Sequence, residues 1–477
     1  MRYINKTDLL VVARNSGMIM IGIGVLCLFP IIVDLLYFEF NFISFIIPSL
    51  VSIGIGLICI KSLDKYSSNK IRLKHGMIIS SIAWLWASLI YGVIIANVTG
   101  IGLIDGIFES MSALTGSGIT IYDNVEILPY SILFFRSLQQ WVGGLGVVVM
   151  IIGILTKPGT TSSKLYQSEA REDRIRPSIK ATLEQTIKIY LIYTAIGIVL
   201  YLIAGMPIFD SVCSTFSIIS TGGMSIKNAN IGYYQSDLIY FITIVLMILG
   251  ATSFLVHYKV IKTRGKSLIQ DLQFKVMICL IAISTVCLYL TTTIVPIDLL
   301  FTIVSAVTTT GASVESPIMM GSWPTFSLII IMILMMVGGS SGSTVGAIKL
   351  MRIITFFKGI YKHIREIMSP EGRVIPLQIS GQKISEKAVA QSGNYITLFM
   401  ICILVTWIIL CFYGHEPIAS LFYTISLQGN VGLEISRMTS TLELPVKLLS
   451  MFNMWIGRLE IYPVLITFRA FFEVFKR

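Results

Sequence analysis

Ten predominantly apolar runs, each near the ~20 residues that an α-helix needs to cross the hydrocarbon core of a bilayer, are spread along the 477 residues of the chain. They lie near 17–37, 43–60, 77–97, 130–155, 186–205, 236–257, 274–295, 325–348, 394–413 and 446–468. Lipid offers no partner to backbone N–H and C=O groups, so segments of this length must be helices. Composition agrees. Charged residues make up 13% of the chain, against about 25% in soluble domains. Hydrophobic residues reach 55%, and mean hydropathy is +0.83. The chain reads as an all-α integral membrane protein, and soluble-enzyme, secreted and nuclear roles are excluded. The first run is long enough to span and has no A-x-A site after it, so it reads as a membrane helix, not a leader. The seven cysteines are odd in number and form no CxxC, so they read as small buried hydrophobes.

Four shorter apolar runs, near 104–114, 208–219, 297–307 and 417–427, have about half the length of a span. Lysine and arginine decide how they sit. If each short run dips into the membrane and returns, and the N-terminus is inside, 31 of the 36 basic residues fall in inside segments and three fall outside. That asymmetry follows the positive-inside rule. Full crossings would scramble it. The net charge of +11 then marks inner loops, not nucleic-acid binding. Both termini are expected on the cytoplasmic side of the cell membrane.

The short runs also carry an internal repeat. They align on Gly118, Gly223, Gly311 and Gly432. Six residues upstream stand Ser112, Ser217, Ser305 and Ser426. Thirteen upstream stand Asp105, Asp210 and Asp298, where N-caps are expected, with Ala419 in the fourth copy. Three upstream stand Thr115, Ser220 and Thr308, with Gly429 in the fourth. The expected architecture is four parallel span–pore-helix–span pseudo-repeats around one pore, plus two extra N-terminal transmembrane helices. The expected divisions are 1–75 for those two helices, then repeats over 76–157, 158–267, 268–370 and 371–477, with loops at 115–119, 220–224, 308–312 and 428–433.

Non-helical backbone at membrane depth must be buried in protein or line water. Four such loops around one axis can replace the hydration shell of a cation with carbonyl oxygens. Glycine permits the positive φ and close approach that this requires. The half-helices would aim their negative C-terminal ends at the axis. No carboxylate lies within the loops, which disfavours a divalent-cation filter. Glu434, just beyond Gly432, reads either as a cation attractor at the mouth or as a solvated loop charge.

These loops, with FFRSLQQWVGGLG at 134–146 and WIGRLEIYP at 455–463, resemble the Trk/Ktr/HKT superfamily of potassium transporters. The two extra N-terminal spans make the chain most similar to the TrkH type. The resemblance implies a potassium filter built from Thr115, Gly116, Ser117 and Gly118; Ser220, Thr221, Gly222 and Gly223; Thr308, Thr309, Thr310 and Gly311; and Gly429, Asn430, Val431 and Gly432. Plant relatives with serine at the first shared glycine favour sodium, so four glycines imply K⁺. The missing hydroxyl at Gly429 departs from the other loops and makes unequal coordination an expectation. The resemblance further implies homodimers and a cytoplasmic ring of nucleotide-binding regulatory subunits of the TrkA type. Nucleotide would bind only on that partner, and no covalent cofactor is expected.

Two gate candidates follow. Arg458 stands eleven residues from both Lys447 and Arg469, hence at mid-membrane, where arginine costs about 2.5–3.5 kcal/mol on insertion scales. It reads as an electrostatic barrier below the filter or as a structural arginine bonding carbonyls. The segment 336–349 holds Gly338, Gly339, Ser340, Ser341, Gly342 and Gly346, a composition that breaks a helix. The resemblance makes it an intramembrane gate loop. The GxxxG spacing of Gly338, Gly342 and Gly346 also fits a close-packed helix face. Arg136 is expected to snorkel or to brace the first loop.

The function expected is K⁺ uptake, by channel-like passage or by symport. A potassium-binding subunit of a Kdp-type ATPase is the rival within transport. An intramembrane enzyme would need a clustered acid, base or nucleophile, and the spans offer none. P-loop, HExxH and serial-arginine motifs are absent.

Overall fold

The computed structural model describes residues 5–66, 72–146, 179–263, 265–370, 373, 375–436 and 442–475. The part of the 130–155 run beyond Gly146, most of the 157–188 loop, and Arg437 lie outside them. The regular structure of the described residues is helical, save for a two-stranded ribbon pairing Gln378–Ile379 with Gln382–Lys383.

Among the described residues, six helices are long and apolar enough to cross a bilayer, so the chain is a multi-pass membrane protein. The count is below ten because several expected spans are interrupted. Asp237–Ala251 and Phe254–Thr263 meet at a bend of 105° where one straight span was expected. Thr325–Val337 ends at Gly338, and helix resumes only at Leu350. The last span divides into Leu444–Arg458 and Tyr462–Phe475. Glu460 and Ile461 between them have φ of 59° and 65°. Arg458 therefore terminates a helix and does not sit in the middle of one.

The first helix begins at Lys6, eleven residues ahead of the expected start. Asn5 and Asp8 form a capping box, and Asp8 pairs with Lys74 at 2.6 Å and His75 at 2.7 Å. These partners let polar sequence continue the helix that hydropathy alone would end. The helix packs on Phe42–Ser62 through small residues. A Cβ at Gly17 would overlap the carbonyl of Gly56, and Ser49 Oγ donates to Gly24 O at 2.6 Å. This is close membrane packing through small side chains.

The four short runs are helices Leu103–Thr115, Ile208–Ile219, Pro296–Val307 and Pro417–Gly429. Their N-caps are Gly102, Pro207, Val295 and Glu416. Asp105, Asp210 and Asp298 stand three residues further in, in the first turn, where they still face the positive helix end. Asp105 binds Lys447 at 2.7 Å, and Asp210 accepts from the Tyr234 hydroxyl at 2.8 Å. Glu416 caps the fourth helix through the Ala419 N–H. Of the cysteines, Cys27 and Cys213 are buried and Cys279 is exposed, and all seven are free. Exposure on a span carries no penalty where the surroundings are apolar.

Candidate functional site

Each short helix runs directly into its glycine loop, and all four loops share one backbone device. Left-handed residues occur two positions apart: Gly116 and Gly118, Thr221 and Gly223, Thr309 and Gly311, Asn430 and Gly432. The residue between them is never left-handed. Threonine in that conformation is strained, and strain of this kind persists only where the surroundings impose it. The shared serines do so. Ser217 O and Ser305 O accept from Gly222 N and Thr310 N at 2.9 Å each. The hydroxyls of Ser217 and Ser305 reach forward to Met224 O and Ala312 O, both at 2.7 Å. Ser426 Oγ accepts from Gly432 N at 2.9 Å. One serine thus ties each of these loops back to its own helix.

The loops meet head to tail. A Cβ on Gly118 would strike Gly222 O, one on Gly223 would strike Thr310 O, one on Gly311 would strike Val431 O, and one on Gly432 would strike Ser117 O. The order runs first, second, third, fourth and back to first. All sixteen loop residues expected from the sequence are brought to this ring or to the helix ends beneath it. The hydroxyls three positions upstream bond to their helices and, in two copies, to the loop as well: Thr115 Oγ1 meets Ser117 Oγ at 3.0 Å and Thr308 Oγ1 meets Thr310 Oγ1 at 2.8 Å. On the helix side, Thr115 Oγ1 donates to Met111 O, Ser220 Oγ to Ser217 O, and Thr308 Oγ1 to Val304 O. Gly429 offers no such hydroxyl to its helix or to its loop. Asn430 also marks the fourth loop: its Nδ2 crosses to Ser117 Oγ at 3.0 Å and to Met454 O at 2.9 Å.

Two buried side chains of the Tyr130–Leu145 helix hold the second loop from behind. Gln140 Nε2 donates to Gly222 O at 2.7 Å, and its Oε1 accepts from Met224 N at 3.2 Å. Arg136 pairs with Glu109 at 2.7 Å and donates to Ser225 O at 3.1 Å. Both ions are essentially inaccessible. Arg136 thus braces the loops and does not snorkel. Removing one partner of a buried pair costs about 3–5 kcal/mol. Arg136→Met is expected to lose that much stability, visible as a markedly lower melting temperature in detergent; an unchanged melt would refute the brace. Glu109 and Gln140 gave no sequence signal beyond being polar residues in apolar runs.

Above the ring lies a vestibule lined by the four glycines together with Asp123, Glu315, Glu434, Arg136 and Lys227. Glu434 belongs to this mouth. Burial pushes the Glu315 carboxyl above its usual range, a hydrogen bond from Trp323 opposes the rise, and the charge of Asp298 adds to it.

Below the ring, residues 338–349 form a non-helical loop, which removes the GxxxG helix-face reading. Gly338 and Gly342 have φ of 70° and 76°. Ser340 N donates to Ala251 O at 3.0 Å and Phe254 N to Gly342 O at 3.1 Å, so the loop satisfies the backbone groups freed by the 105° bend. Ser341 N is held by Gln273 at 2.8 Å. Beneath the loops, Gly346 N donates to Thr309 Oγ1, Ala347 N to Gly429 O, and Thr344 Oγ1 bonds Thr221 Oγ1 and Gly250 O. Gly339 O accepts from Leu350 N at 2.9 Å. Arg458 donates to Thr344 O at 2.8 Å and to Gly144 O at 3.1 Å, with Gly143 O also accepting. Its guanidinium lies 5.7 Å from the Trp84 ring centre. The carbonyl-bonding role is present, and it joins the loop to the end of the Tyr130–Leu145 helix.

Residues 47–474 match the TrkH family, described as cation transport proteins. An uncharacterised cation transporter of Methanocaldococcus jannaschii is 35% identical over 474 residues, covering 98% of this chain and 97% of the relative. The Trk system potassium uptake protein TrkG of Escherichia coli is 28% identical, covering 98% and 99%. The crystal structure of the potassium transporter TrkH from Vibrio parahaemolyticus superposes with a TM-score of 0.85 at 24% identity, covering 96% of this chain and 98% of that one.

Proposed function

Because this chain belongs to the TrkH family of cation transport proteins, within the Trk/Ktr/HKT superfamily, we propose that it carries potassium into the cell through a filter made of its four glycine loops. The observation that carries this reading is the head-to-tail ring of Gly118, Gly223, Gly311 and Gly432. Main-chain oxygens ring a single axis, and the negative ends of four half-helices point toward it. The site is uncharged, as suits a monovalent ion that must bind and leave. Potassium is the ion named for the relatives TrkG and TrkH. The Kdp-type alternative finds no support among the similar proteins.

The four span–pore-helix–span units are pseudo-repeats around one pore, and the first two long helices lie outside them. Loop 338–349 and Arg458 form the gate on the inner side, the loop as an obstruction and Arg458 as both its anchor and a fixed positive charge. A homodimer regulated by a cytoplasmic nucleotide-binding ring completes the assembly, and both chain termini face the cytoplasm. The word "system" in the names of the relatives is consistent with such a partner.

Uptake in a potassium-auxotrophic host tests the proposal. Expression is expected to restore growth at low external K⁺, and a cognate regulatory subunit is expected to change the rate several-fold. No rescue with or without that subunit, while the protein is present in the membrane, would sink it.

A further inference from the structure

The gate reading uses Arg458 but leaves Glu460, two residues later, without a task. Glu460 is 5% exposed. It sits in the break between Leu444–Arg458 and Tyr462–Phe475, where it and Ile461 are both left-handed. A β-branched residue in that region is a genuine outlier, held only by its surroundings. The loop 338–349 ends in a second such joint. Lys349 has φ of 74°, and Leu350 opens the next helix. The two joints face each other. Lys349 Nζ donates to Glu460 Oε1 at 2.6 Å, and the Arg352 guanidinium donates to Oε2. Arg352 also lies over the Tyr395 ring at 4.2 Å. Lys349 N is bonded to Val337 O at 3.0 Å, so the loop closes on its own entrance at the point where Glu460 takes its exit. Two residues of the last span therefore grip the loop: Arg458 at its middle through Thr344 O, and Glu460 at its end through Lys349.

We infer that Glu460 is a positioning residue for the gate, latching the end of loop 338–349 to the break in the last span, so that the loop leaves the pathway only when both joints move together. The inference rests on loop 338–349 being the gate. Glu460 touches no permeating ion in this assignment. It acts through Lys349 and Arg352.

The test is partner-independent Rb⁺ efflux from vesicles containing purified protein, measured for wild type, Glu460→Gln, Lys349→Met, the swapped pair Lys349→Glu with Glu460→Lys, and a deletion of 338–346. Release of the latch is expected to raise basal flux at least tenfold in both single variants, with the K⁺/Na⁺ ratio kept. The swapped pair is expected to return flux to within about threefold of wild type. Loss of one negative charge beneath the pathway would by itself lower cation flux, so a fall in both single variants overturns the latch. Unchanged flux in both, with the deletion leaky, also overturns it and leaves the gate standing. Unchanged flux in the deletion as well removes the gate reading. Should Glu460→Gln fail to fold, Lys349→Met breaks the same contact from the loop side and decides the outcome.

Discussion

Alanine at Gly223 is expected to reduce potassium uptake, or its preference over sodium, by roughly 10–100-fold. Two effects combine there. The position has φ of 68°, and the added Cβ would strike Thr310 O and approach Ala312 N to 2.7 Å. Backbone strain of this kind costs about 1–3 kcal/mol, and ~1.4 kcal/mol is a decade in an equilibrium. The strain falls on a carbonyl of the neighbouring loop, so it reaches the ring directly. Gly205 supplies the control. Its φ is 88°, but nothing lies within 4 Å of its Cβ position, so alanine there meets backbone strain alone. Competition of Na⁺ against Rb⁺ uptake measures both variants. Equal behaviour of Gly223→Ala and Gly205→Ala would show that closeness between loops does not matter. Serine at Gly118, opposite Gly222 O, is expected to raise the sodium share for the same reason.

Arg458→Ala is expected to raise flux by about two orders of magnitude. A fixed cation about 5 Å from a permeating ion repels it by roughly 3 kcal/mol at an effective dielectric near 20. Substitution also removes the guanidinium donor from Thr344 O and Gly144 O, and the loss of such a buried bond costs about 1–3 kcal/mol. That second effect loosens the loop below the ring. Lysine separates the two contributions, because it keeps the charge but lacks the guanidinium fork that spans both carbonyls. Arg458→Lys should leave most of the repulsion and lose part of the anchoring. Flux that does not rise in Arg458→Ala would end the barrier assignment.

Much of the architecture could be read from the chain because bilayers impose length. The short helices fall within two residues of the runs picked out by hydropathy, and the register of four glycines and four serines reappears as shared backbone geometry. Interruptions were legible only where composition announces them. Glycine and serine crowd residues 338–346, and the helix breaks there. No such crowding marks Leu459–Ile461 or Thr252–Ser253. Those breaks are set by partners remote in sequence, Lys349 and Arg352 for one, Ser340 and Gly342 for the other. Hydropathy likewise missed the start at Lys6, since polar residues continue a helix once Lys74 and His75 pair with Asp8. Around the ring, the glycines were visible, but their braces were not. Gln140 and Glu109 matter through contacts with loops, and a linear pattern carries no trace of that. The fourth loop departs from the others at Gly429, which carries no hydroxyl, and also at Asn430, whose amide crosses to Ser117.

That amide has a consequence for how the molecule is made. Its bond to Ser117 joins residues 313 apart, across the seam between the last loop and the first. A ribosome delivers the quarters in order, so the circle stays open until the final one has been inserted. A chain cut short before Asn430 lacks the side chain that makes this bond, so its first loop has no such tie to the last.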